Sequence, residues 1–122
     1  MIDHESTLRF LKKRELARQE RLDTAFQQAR SDFERIFAVI IKDFRPQAVW
    51  QWGSLLDRKR FSEISDIDIA LEGLADPHAI FDICSRAEDM TDFPVDIVEL
   101  EKIVPEYASL IRKKGKKIYE RT

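Results

Sequence analysis

A chain of 122 residues supports one folded domain with a real core and leaves no room for two. Hydrophobic content of 43% beside 36% charged residues describes a soluble globular protein with a heavily charged surface. A formal net charge of −2 makes no global electrostatic case for nucleic acid, and no apolar run approaches the ~20 residues needed to span a bilayer.

The N-terminus lacks the pattern of a signal peptide, and Cys84, the single cysteine, fits a reducing cytosol and allows no internal disulfide. With only His4 and His78 beside that cysteine, zinc chemistry has almost no support, and oxygen-ligated magnesium remains.

Residues from about 5 to 43 contain no glycine or proline and read as one long helix, closed by Pro46. Its stretch from Lys12 to Arg21 is nearly all charge, and this first part is an arm that either pairs with another subunit or partner or is simply solvated. From Leu22 an apolar stripe runs through Phe26, Ala29, Phe33, Phe37 and Ile40, which places Asp32 and Arg35 on the other side. The chain therefore divides into a charged helical arm, 1–21, and a single domain, 22–122.

Residues 48–52 read as a short strand that Gly53-Ser54 interrupts. Glycine lets the chain turn sharply and a phosphate approach the backbone. Ser54 adds a hydroxyl and an N–H, and a helical turn from Leu55 onward would present free N–H groups to an anion. Arg58, Lys59 and Arg60 follow and are candidates to neutralise triphosphate charge; the bland reading is a solvated basic loop.

The next strand, 66–72, alternates, so Asp66 and Asp68 share a face and Ile67 and Ile69 take the other. Gly73 turns the chain, and Asp76-Pro77 read as an N-cap with proline at the first helical position. That helix runs to about Met90 and is expected to bury Ile80, Phe81, Cys84 and Ala87, with His78 at the surface. A further strand, 93–100, carries Asp96 among β-branched apolar residues, and if the two acid strands are neighbours Asp96 joins the pair. Carboxylates crowded against apolar residues resist ionisation unless a cation compensates, and an all-oxygen set favours magnesium or manganese.

A last helix follows Pro105, burying Tyr107, Leu110 and Ile111, and stops at Gly115. The basic residues around that stop, Arg112, Lys113, Lys114, Lys116 and Lys117, read as a solvated end, with a partner or RNA contact as the other option. Helices mixed with three or four short strands give an α+β domain, a small mixed sheet flanked by helices and carrying the site on one face.

Trp52-Gly53-Ser54, then Ser65-Asp66-Ile67-Asp68-Ile69, then Val95-Asp96-Ile97 resembles the signature of the DNA polymerase β-like nucleotidyltransferase superfamily, most closely its minimal single-domain branch. The likeness covers roughly residues 33–120, including the ending Ile111 … Gly115 … Ile118-Tyr119-Glu120. It implies a polymerase β-like fold in which Gly53 and Ser54 grip the β/γ-phosphates of ATP. Asp66 and Asp68 would ligate two magnesium ions, and Asp96 would complete the metal next to the attacking hydroxyl. The chain departs from the family where Leu55-Leu56-Asp57 intervenes and Phe61 replaces a small residue, which leaves open whether Arg58 or Arg60 meets phosphate.

The same resemblance implies a toxin–antitoxin pair, in which the transferase adenylylates a tyrosine of a HEPN-type RNase toxin. An antitoxin acting by contact alone, its arm doing the binding, is the second reading, and a transferase for a cationic small molecule such as an aminoglycoside is the third. Polymerisation is unexpected for want of a template-binding surface, and a homo-oligomer through the N-terminal helix is open.

Overall fold

In the computed structural model, which describes residues 3–122, the elements alternate as helix, two strands, helix, strand, helix, strand. Helix α1 spans His4–Phe44, about 60 Å at 1.5 Å per residue. Its start is fixed by Asp3, whose carboxylate accepts from the N–H groups of Glu5 and Ser6 at 3.1 and 3.3 Å. Arg45 ends it in the left-handed region at φ 46°, its N–H returning to the Ile40 carbonyl ahead of Pro46.

Strands β1 (Ala48–Trp52), β2 (Ile67–Glu72), β3 (Val95–Glu99) and β4 (Lys116–Glu120) form one sheet in the order β3-β2-β1-β4. β1 pairs antiparallel with β2 and with β4, and β2 pairs parallel with β3, so the sheet is mixed. The parallel pair requires a crossover, which α2 (Ala79–Asp89) supplies. Helix α3 (Pro105–Lys114) joins β3 to β4.

The alternation of β2 decides the layers. Ile67, Ile69 and Leu71 face α1 and α2 and share a core with Leu22, Phe26, Phe33, Ile36, Ile40 and Ile83. Ala70, on the other face, packs with Ala108 and Ile111 of α3 and with Trp50 and Trp52 of β1. Burial of these side chains, at roughly 25 cal/mol per Å² of apolar area, drives the assembly of both layers. No helix among the described residues is long and apolar enough to cross a membrane.

Five sequence expectations need correction. Asp32 is buried, only 3% exposed, rather than on the outer side of α1. It accepts hydrogen bonds from Gln28 Nε2 at 2.8 Å and Thr91 Oγ1 at 2.7 Å, and pairs with Arg35, so the loop after α2 covers that side of the helix. Ile36 fills the stripe position given to Phe37, which is half-buried and stacked on Phe33. Helix α2 starts at Ala79, because Asp76 instead closes a turn by accepting the His78 N–H at 2.9 Å. With that helix facing α1 through Ile83 and Ala87, Phe81 is turned outward and is 72% exposed. On α3 the buried positions are Ala108 and Ile111, and Leu110 is 40% exposed. The tail matched only by resemblance forms the edge strand β4.

Candidate active site

The parallel pairing of β2 and β3 sets Asp68 and Asp96 as direct partners, in the same register that matches Ile67 with Val95 and Ile69 with Ile97. Facing side chains in such a pair lie on one side of the sheet. Asp66 precedes β2 by one residue and lies two residues from Asp68, which brings the third acid to the same end. On the opposite flank of Asp68, the antiparallel pairing with β1 places Trp52. All three strands meet the site at one edge: β1 ends there while β2 and β3 begin.

Gly53 follows β1 at φ 86° and ψ −166°, a region that essentially only glycine occupies. A Cβ at this position would stand 2.2 Å from Asp68 Oδ2. The turn backbone and the Asp68 carboxylate are therefore packed against each other, and a side chain at 53 would push the carboxylate away. The next residues, Ser54–Leu56, form one 3-10 turn anchored by the fully buried Leu55. The Ser54 and Ser65 hydroxyls lie 2.7 Å apart, and Ser65 Oγ also accepts from the Ser62 N–H at 2.8 Å. These bonds tie the phosphate-sized turn to the residues leading into Asp66.

Electrostatics mark the centre of the cluster. Loss of water around Asp68, then repulsion from Asp96 and Asp66, raises its pKa from 3.8 to about 6. Tyr107 of α3 feels the same field: burial, then the Asp96 and Asp68 charges, pushes its phenol upward. Its ring meets Trp52 edge-on at a centroid distance of 5.3 Å, so the two aromatics wall the acid cluster on the α3 side. The Trp52 indole N–H is buried there with no hydrogen-bond partner among the described residues.

No three His, Cys, Asp or Glu side chains among the described residues are arranged to hold a metal ion as they are placed. The chemistry of the donors nevertheless fits a hard divalent cation, since burial and the neighbouring Asp96 and Asp66 charges raise the proton affinity of Asp68, and all three side chains offer oxygen alone. A cation between them would relieve the repulsion that burdens Asp68.

The basic candidates divide. Arg58 turns to α1, donating from Nε to Asp23 Oδ1 at 2.5 Å and from Nη2 to the Gln19 carbonyl at 3.1 Å and its Oε1 at 3.0 Å. Arg60 is exposed and its side chain makes no hydrogen bond or ion pair among the described residues. Sequence reasoning passed over Trp52, Tyr107 and Ser65 as site residues. Trp52 was legible in part: Trp50 and Trp52 alternate toward one face of β1, and an antiparallel neighbour puts that face beside Asp68. Tyr107 lay on another element with nothing in its local pattern to mark it.

Comparison with known proteins bears on this geometry. The family described as polymerase beta, nucleotidyltransferase, matches residues 34–122. No curated protein matches the chain. Among solved structures, the MntA–HepT toxin–antitoxin complex is similar at 20% identity and a TM-score of 0.56, over 75% of this chain and 73% of that one. A tri-AMPylated Shewanella oneidensis HEPN toxin in complex with MNT antitoxin is similar at 21% identity and a TM-score of 0.57, over 76% and 73% of the chains. A toxin–antitoxin with AMP-PNP is similar at 22% identity and a TM-score of 0.58, over 73% and 74%. At these identities the structures establish likeness of fold.

Proposed function

Because the chain belongs to the polymerase beta nucleotidyltransferase family, we propose that it transfers a nucleoside monophosphate, AMP from ATP, to a hydroxyl of a partner macromolecule. The observation that carries this reading is the register match of Asp68 with Asp96, with Asp66 alongside and Gly53 packed against Asp68. In this reading Asp66, Asp68 and Asp96 hold divalent magnesium, which supplies charge neutralisation at the transferring phosphoryl group and at the attacking oxygen.

The protein's own part is mainly placement. The Gly53 backbone and the Ser54 hydroxyl and N–H receive the β/γ-phosphates, because glycine leaves room for close approach. Arg60, free at the surface of the same loop, is the cation available to the leaving pyrophosphate, whereas Arg58 would first have to release Asp23 and Gln19. Asp96, on the outer strand of the pair, orients the acceptor hydroxyl and takes its proton as the oxygen attacks the α-phosphorus. The bond from the α-phosphorus to the bridging oxygen breaks, and pyrophosphate leaves.

For the acceptor, the reading follows the similar complexes: a tyrosine on a HEPN-type RNase toxin, which the transferase silences as antitoxin in the cytoplasm. The test is incubation with Mg²⁺ and α-labelled ATP in lysate of the source cell, beside an Asp66→Asn/Asp68→Asn variant. Label on one discrete protein band, absent with the variant, is the expected result. A variant that labels nothing yet still neutralises the toxin in cells would replace catalysis by contact as the mode of action.

A further inference from the structure

Three- and four-residue steps lead along α1 from Leu8 through Leu11, Glu15 and Arg18 to Leu22, where the buried stripe of the domain begins. Leu8 and Leu11 therefore lie on the same helix face as Leu22 and Phe26, but are 57% and 50% exposed. The domain ends before it reaches them. Phe10, off this face, is partly shielded by the Arg14 guanidinium 5.8 Å above its ring.

The arm leaves the body in a fixed direction. Arg18 grips Glu63 with two bonds, at 2.8 and 3.0 Å, and Arg58 holds Asp23 and Gln19. Both contacts clamp residues 18–23 to the loop before β2. Beyond the clamp, the helical residues from His4 to Leu16 are all exposed, and an isolated helix of that length is marginal in water. An added packing partner is what such a segment needs.

We propose that this partner is a second copy of the same arm, paired antiparallel about a two-fold axis. The arm is complementary to itself in that orientation. Setting Leu8 of one helix against Leu11 of the other makes two adjacent layers holding all four leucines. The same register places Glu5 opposite Lys12 of the second copy on the flank of the seam, and symmetry makes that ion pair twice. His4 then faces Glu15 across the next layer. The interface uses one patch on both copies and closes as a dimer. It sends the two catalytic domains to opposite ends, so both acid clusters stay open to their substrates. With only two leucine layers the dimer is weak, in the micromolar range.

Sedimentation equilibrium of the full chain up to about 200 µM tests this. The wild type is expected to show a monomer–dimer equilibrium, and Leu8→Lys/Leu11→Lys to be monomeric throughout. Glu5→Lys and Lys12→Glu each turn two attractive pairs repulsive and should weaken the dimer about tenfold. The double exchange, Glu5→Lys/Lys12→Glu, restores both pairs and should return most of the affinity. Since all four positions lie outside the domain core, unchanged thermal unfolding of each variant checks the fold. A wild type that is monomeric over the whole range overturns the proposal, as does a dimer that survives the leucine change or a double exchange no better than either single one.

Discussion

Replacing Gly53 by alanine loads two separate costs onto one position. The backbone at φ 86° and ψ −166° is a conformation that disfavours any side chain by about 1–3 kcal/mol. The new methyl would in addition overlap Asp68 Oδ2, 2.2 Å from the Cβ position, so either the carboxylate rotates away or the turn shifts. A total of about 3 kcal/mol should lower the melting temperature by about 12 °C. Displacement of Asp68 by an ångström should reduce transfer about 100-fold even where the protein is folded. A double-mutant cycle separates the two costs, because Asp68→Ala removes the overlap and leaves the backbone strain. Gly53→Ala should be milder in that background, with a coupling energy of about 1 kcal/mol. Equal melting losses in both backgrounds, or full transfer activity in Gly53→Ala, would refute the packing of turn against carboxylate.

Gly73 offers a matched control: at φ 68° its added Cβ would lie 2.5 Å from Gln47 Cβ, and Gly73→Ala should lower the melting temperature while kcat of the folded protein is retained. Asp68 carries a folded-state pKa of about 6 against an ordinary 3.8, so the native state holds the proton more tightly. Without metal, stability should therefore fall as pH rises from 4 toward 6, and Asp68→Asn should abolish that slope in a series of thermal melts. Burial works to raise the Asp32 pKa, but hydrogen bonds from Thr91, Gln28 and Arg35 outweigh it and hold it below the ordinary value. Asp32→Ala leaves those donors without their acceptor and should cost about 2–3 kcal/mol by urea unfolding, with transfer chemistry unaffected in the folded protein. Phe81→Ser, at an exposed position, should change stability by less than about 0.5 kcal/mol.

The acids were legible because period-two alternation is a strong local signal. Asp66 and Asp68, with isoleucines between and after them, could occupy only one face of a strand. The position of Asp96 needed more. Its strand was readable, but the match with Asp68 depends on a parallel pairing across α2 that local pattern does not encode. The helix errors share one cause. Asp32, Phe81 and Leu110 each lie near the margin of an apolar stripe, and which side of that margin is covered depends on the neighbouring element. For Asp32 the cover is Thr91, 59 residues away. Arg58 illustrates the same limit from the surface: among three consecutive cations, only the position of Asp23 on α1 tells which one is held. The strand β4 was hidden by its composition, since Lys116-Lys117-Ile118-Tyr119-Glu120 shows little alternation and pairs through a bulge beside Val49 and Trp50.

The account turns on the three acids and the Gly53-Ser54 turn acting together on a metal-bound nucleotide, and binding can be measured without knowing the acceptor. Titration calorimetry with a non-hydrolysable ATP analogue, with and without Mg²⁺, on the wild type and on Asp66→Asn/Asp68→Asn, is the most direct measurement. Binding that requires Mg²⁺ and disappears in the variant is the predicted result. Failure of the wild type to bind, or equal binding by the variant or without Mg²⁺, would contradict the account.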